Sequence, residues 1–166
     1  MATERTRDGS FIIMSCGGRV WMVKHATGEG KWSLPGGGVE SGELAVRAAK
    51  REAEEELGTR AMIQDLIGVF HSRKNPGTHV FLYAGYVVVP GSVNKAGDGT
   101  EVAECRLWLP GEAIRTESVY PAQRLMVRAY VRWQRRHEVV EDWLSQPVTD
   151  ELDPNELVDP VVIGGA

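Results

Sequence analysis

The chain has 166 residues, 42% of them hydrophobic, which is enough apolar material for one domain with a real core and removes any need for disulfide staples. Its net charge of −4 is unevenly placed: residues 147–166 hold Asp150, Glu151, Asp153, Glu156 and Asp159 with no Lys or Arg, so the remainder is close to neutral. A near-neutral body argues against bulk nucleic-acid binding, which needs many basic contacts to phosphate, and suits a small anionic ligand held by metal and a few basic groups.

Residues 1–9 are polar, and the first ten residues carry neither an apolar leader nor a run long enough to span a bilayer, so the expectation is a soluble cytoplasmic protein. Phe11 to Ser15 reads as a strand, Gly17-Gly18 as a tight turn and Arg19 to His25 as the partner strand, with β-branched and aromatic enrichment. Cys16 and Cys105 are too few for a disulfide framework and read as buried free thiols. After a Gly-containing loop, Trp32-Ser33-Leu34 is a short strand. Trp32 is read as a core or wall residue, with stacking on a substrate base as the alternative.

Pro35 and the glycines at 36, 37 and 38 are read as a turn on which a ligand can sit, because glycine permits φ > 0 and close backbone approach. From Ser41, Glu43 and Leu44 a helix is predicted to run to Leu57, with Gly58 as its terminating residue. At about 100° per residue, Val46, Ala49, Ala53 and Leu57 form a core stripe. Glu52, Glu55 and Glu56 share a second face. Glu43, Arg47, Lys50 and Glu54 lie outside, where Lys50 and Glu54 can pair at i, i+4. Three like charges near a helix C-terminus repel one another and oppose the helix dipole, so they call for a cation, and hard oxygen ligands select Mg²⁺ or Mn²⁺.

Met62 to Ser72 and His79 to Val89 read as strands, the second nearly continuous in apolar residues and therefore central. Between them a Pro-Gly loop carries His71, Arg73, Lys74 and His79, and Arg73 or Lys74 can reach substrate phosphate. Pro90 to Thr100 is a polar loop, Glu101 to Leu109 a last strand, and Pro110 to Arg115 a short helix or turn. A long helix starts near Ser118, with Pro121 in its first turn. Its apolar stripe is Ala122, Leu125, Met126, Ala129, Tyr130 and Trp133, and Arg124, Arg128, Arg132, Arg135 and Arg136 are placed on the solvated side. The acidic tail reads either as disordered or as an arm docked on a neighbour, the latter making a homodimer.

Gly37, Glu43, Arg51, Glu52, Glu55, Glu56 and Gly58 fit the pattern G-x5-E-x7-R-E-U-x-E-E-x-G-U, where U is bulky and aliphatic. This resembles the Nudix box of the Nudix hydrolase family. Every polar and glycine position is met, while Ala53 and Thr59 stand at U positions, which weakens packing but removes no chemistry. The resemblance implies a Nudix-type α/β/α sandwich with a mixed β-sheet, a box helix and a long C-terminal helix ending near Leu144. Residues 1–146 would be the domain and 147–166 the tail.

The resemblance also implies divalent-metal-dependent hydrolysis of the pyrophosphate linkage of a nucleoside diphosphate derivative. Glu52, Glu55, Glu56 and the Gly37 carbonyl would hold Mg²⁺, or Mn²⁺ in its place. One of the box glutamates or Glu101 would take the proton from water, and Arg51 would hold Glu55 from one helical turn away. The string EVAECRLWLPGEAI is similar to the family segment in which a Glu before an aromatic completes the site. Glu101 is preferred to Glu104, although its spacing to Trp108 is one residue longer than a clean match. A nucleoside or deoxynucleoside triphosphate is the first substrate expectation, with ADP-ribose, dinucleoside polyphosphates and the RNA 5′ end as alternatives. A binding-only sensor of the same fold would be expected to lack a box carboxylate, and this chain lacks none.

Overall fold

The protein is described by a computed structural model covering residues 8–72, 75–97 and 99–137. Arg73, Lys74, the expected helix beyond His137 and the acidic tail lie outside the described residues. The chain opens with a hairpin, β1 (Gly9–Cys16) and β2 (Arg19–His25), closed by Gly17 and Gly18 at φ 55° and 70°. This left-handed pair matches the twist of the strands that it joins.

The remaining strands are β3 (Trp32–Ser33), β4 (Gly36–Gly38), β5 (Ala61–His71), β6 (His79–Val87) and β7 (Val102–Trp108), and the helices are α1 (Ala45–Leu57), α2 (Pro110–Arg115) and α3 (Pro121–His137). One mixed sheet runs β3-β2-β1-β6-β5, with β4 paired to β1 and β7 to β2. Only β1 and β6 pair in parallel; the other pairings are antiparallel.

Alternation along the strands builds two cores. Ile12, Met14, Trp21 and Val23 face α1 and meet Ala49, Ala53 and Leu57. Ile13, Met22, Leu34, Phe70 and Leu82 face the other way, onto Ala113 and Ile114 of α2 and Met126, Val127 and Tyr130 of α3. The result is the expected α/β/α sandwich. Ala48, Ala49 and Ala53 are fully buried, so small residues let α1 lie close to the sheet, while Val46, expected in the stripe, is half-buried.

Three local readings are corrected. Gly36–Gly38 is a strand rather than a turn, because the absence of side chains lets it press against β1: a Cβ at Gly36 would sit 2.4 Å from the Ser10 carbonyl oxygen. Helix α1 starts at Ala45 with Leu44 as an N-cap whose apolar side chain makes no cap, while the Glu43 carboxylate is engaged by Arg51 and the Glu40 N–H. Its other end is as expected, at Gly58 with φ 65°. In α3, Arg128 is buried and Arg124 half-buried rather than solvated, and Gln123, Val127 and Val131 are buried too. Both the sheet and α2 cover this helix, which widens its buried face beyond a single stripe.

Both cysteines are free, Cys105 buried and Cys16 half-buried. Among the described residues no helix is long and apolar enough to cross a membrane. Leu82, wholly buried between strands and α3, tests the core. Leu82→Ala is expected to lower unfolding stability by about 2–5 kcal/mol in urea denaturation, from lost burial and the cavity left behind.

Candidate active site

Three successive glycines of β4 each meet a different box side chain. The Gly36 N–H donates to Glu56 Oε2 at 2.9 Å. Gly37 lies against Glu52 so closely that a Cβ there would be 2.6 Å from its carboxylate carbon. The Gly38 carbonyl accepts from Arg51 at 3.2 Å. Strand and helix thus fix the carboxylates as a set.

Arg51 organises the rest. Its guanidinium forks onto Glu43, with Nε to Oε1 and the second terminal nitrogen to Oε2 both at 3.0 Å, and its other terminal nitrogen reaches Glu52 at 2.8 Å and Glu55 at 3.5 Å. The sequence reading placed Arg51 on Glu55; that contact is present at 3.5 Å, and Glu43 and Glu52 take the shorter bonds. Glu43 in turn accepts the Glu40 N–H, tying the loop before α1 to the same cluster. The Glu43 hydrogen bond, followed by those of Glu52, raises the Arg51 pKa and locks its charge in place.

Glu54, contiguous with Glu55 and Glu56, turns elsewhere. It accepts the Ala61 N–H at 3.2 Å and lies 3.8 Å from Lys50.

Glu56 is the buried member of the set. Burial pushes its carboxyl up to about 8, the charges of Glu52, Glu101 and Glu55 add to this, and the Gly36 N–H opposes it. His25 Nε2 lies 3.6 Å from its other oxygen and 3.2 Å from Ser33 Oγ. A carboxyl driven this high by burial, with neighbouring carboxylates adding to it, fits a site that a divalent cation completes. Oxygen donors alone, with glycine backbone beside them, match the hard ligands of Mg²⁺. Among the described residues no three acidic, His or Cys side chains are already drawn into a cage. Arg51 holds Glu52 and more loosely Glu55, whose side chain is the more exposed of the two.

The choice between Glu101 and Glu104 turns on a bulge. Lys24 pairs with Glu104 but His25 pairs with Val102, so one residue of β7 is left over. The shift brings Glu101 beside Ala26, whose N–H donates to its carbonyl at 2.9 Å, and its charge acts on Glu56. The extra residue in the spacing to Trp108 is absorbed here.

Trp32 is buried, edge-on to Trp108 at 5.4 Å between ring centroids, with the Arg106 guanidinium lying over both rings. Beside the box opens a cleft of about 500 Å³ whose lining includes Phe11, His25, Gly36, Thr78, Tyr120 and Gln123. Apart from His25 and Gly36, none of these carried a signal in the sequence. They come from β1, the 72–78 loop and the start of α3, which only the fold brings together.

An α/β/α sandwich with this acidic helix behind a glycine strand defines a class of protein. The family model described as NUDIX domain matches residues 5–130, and the chain belongs to that family. It is 39% identical over 77 residues to an ADP-ribose pyrophosphatase of Methanocaldococcus jannaschii, a match covering 46% of each chain. It is 49% identical over 37 residues to the nucleoside triphosphatase NudI of Escherichia coli O139:H28, covering 22% of this chain and 26% of that one. The chain thus spans half or less of the length of these curated relatives. A crystal structure of a NUDIX hydrolase from Nitrosomonas europaea superposes with a TM-score of 0.66 at 25% identity, covering 81% of this chain and 74% of that one.

Two outcomes follow from the geometry. Gly37→Ala is expected to displace the Glu52 carboxylate and weaken Mg²⁺ binding at least about tenfold, read by calorimetry, since a misplaced ligand loses on the order of 1.4 kcal/mol. The second concerns pH. Glu56 binds its proton more tightly folded than unfolded, so its contribution is full below about 4.5 and is lost as pH rises through about 8. Glu56→Gln keeps an acceptor for Gly36 without the charge. In chelator, the Tm of the variant minus that of the wild type should therefore grow from pH 5 to pH 9; a difference independent of pH would refute the assignment.

Proposed function

We propose that the protein hydrolyses the pyrophosphate linkage of a small nucleoside diphosphate derivative with Mg²⁺, and that a nucleoside or deoxynucleoside triphosphate is the substrate. The observation that carries this is the strand-to-helix contact that fixes Glu52, Glu56 and Arg51 against Gly36, Gly37 and Gly38. Glu52, Glu55 and Glu56, with the Gly37 backbone beside them, would hold the ion, which would supply charge neutralisation for the pyrophosphate and a lower pKa for an attacking water.

The protein's own groups do the rest. Glu55 is the most exposed of the box ligands and the most loosely held, and it accepts the proton of the attacking water; Glu101 stands on the far side of Glu56 as its electrostatic neighbour. Arg51 acts as a positioning residue through Glu52 and Glu43. The cleft next to Gly36 takes the nucleoside, and its size is within the range that encloses a small ligand. Trp32 supports the wall behind it. Arg73 and Lys74, proposed from the sequence as partners for substrate phosphate, lie outside the described residues.

A second reading, ADP-ribose as substrate, is supported by the name of the Methanocaldococcus jannaschii relative. A panel of nucleotides with Mg²⁺, its products identified by mass, separates the two: pyrophosphate plus a nucleoside monophosphate, or AMP plus ribose 5-phosphate.

Within this reading, Glu55→Gln and Glu56→Gln are each expected to cut kcat at least about 100-fold, since ~3 kcal/mol of lost transition-state stabilisation is two powers of ten. Glu54→Gln should change it little. Its amide oxygen still accepts the Ala61 N–H, and the lost pair with Lys50 is worth a few tenths of a kcal/mol. Rates are compared at saturating Mg²⁺ with circular dichroism confirming the fold. Equal losses at all three positions, or full turnover in excess chelator, would overturn the mechanism.

A further inference from the structure

We propose that Gln123 decides which nucleotides the cleft accepts: its locked carboxamide offers one N–H to the base and selects a ring presenting a carbonyl oxygen there over one presenting an amino group. This rests on the reading that the box site acts on a nucleotide.

Gln123 sits in the first turn of α3 and is only 6% exposed. The Leu34 N–H donates to its Oε1 at 3.2 Å, across 89 residues of sequence. Only the amide oxygen can accept that bond, so the chemistry, rather than an assignment of atoms, settles which way the group faces. Its Nε2 makes no hydrogen bond with a described residue, and Gln123 lines the cleft.

The amide cannot turn over to suit a different base. Rotation would bring its NH₂ onto the Leu34 N–H, set donor against donor and leave a buried backbone group unpaired. An amino group at the contacted position therefore meets a donor that will not yield. Phe11 and Tyr120 supply flat aromatic surface in the same cleft, the kind of wall on which a heterocycle packs. Thr78 also lines it, with a buried hydroxyl that has no partner among the described residues. A hydroxyl can donate or accept, so it adds affinity without choosing. The cleft reaches the box through Gly36 and His25, both in contact with Glu56, so one small molecule can place its base at Gln123 and its pyrophosphate at the carboxylates. Adenine presents an amino group, which sets this assignment against ADP-ribose.

The test compares kcat/KM of the full chain with Mg²⁺ for two pairs that differ by oxo against amino: ITP with ATP, and UTP with CTP. The oxo member of the better-used pair is expected to be favoured about tenfold or more, the scale of one unpaired buried donor. Gln123→Glu keeps an acceptor for Leu34 but presents an acceptor to the cleft, and should reverse the preference; Gln123→Leu should erase it. If Gln123→Glu does not fold, the wild-type ratio and Gln123→Leu decide. A wild-type ratio near one, or a ratio that Gln123→Leu leaves unchanged, overturns the proposal while leaving the hydrolytic reading standing. If none of the four is hydrolysed, binding of inosine 5′-monophosphate and AMP is measured by calorimetry in chelator. An oxo preference there supports the Gln123 assignment and overturns the reading of these triphosphates as substrates, and equal or absent binding overturns the Gln123 assignment.

Discussion

The contact between β4 and α1 is the constraint on which the rest depends. A strand without side chains can approach a helix closely enough for its backbone to touch the helix's carboxylates, and here it does so at three consecutive residues. Any other residue at Gly36 would collide with the backbone of β1, and at Gly37 with Glu52. The small residues Ala48, Ala49 and Ala53 complete the approach from the helix side. Ala53 in place of a bulkier aliphatic residue is thus an adjustment of depth. Thr59, at the other such position, pairs its hydroxyl with Ser92, which fastens the loop after β6 to the end of the helix.

Close approach concentrates negative charge, and the fold has to manage it. Arg51 is the cation supplied for that purpose, and its fork onto Glu43 fixes it so that the remaining donor can hold Glu52. Glu56 is dealt with differently. It is sunk beneath the others, held by one backbone N–H, and kept partly protonated at neutral pH by burial and by the charges around it.

The second structural decision is made at the edge of the hairpin. A single leftover residue where β7 meets β2 shifts the register, and the charge of Glu101 acts on Glu56. The same end of β2 supplies His25, which touches both Glu56 and Ser33 and so stands where the acidic set meets the cleft.

What the amino-acid sequence determined was whatever depends on neighbours a few residues apart. Helical periodicity separated Glu54 from Glu52, Glu55 and Glu56 because each step turns the chain by about 100°. Glycine at 17, 18 and 58 marked positions with φ > 0, and strand alternation assigned side chains to faces. Only the tertiary structure decided the rest, because it depends on which distant segments meet. Gly36–Gly38 looked like a turn until β1 lay beside it, Arg128 looked solvated until α2 and the sheet closed over α3, and Arg51 showed only its Glu55 contact until the loop carried Glu43 back to it. The cleft is the plainest case. Leu34 and Gln123 are 89 residues apart, and the hydrogen bond between them, which fixes what the cleft offers, exists only when α3 packs on the face of the sheet where Leu34 is buried.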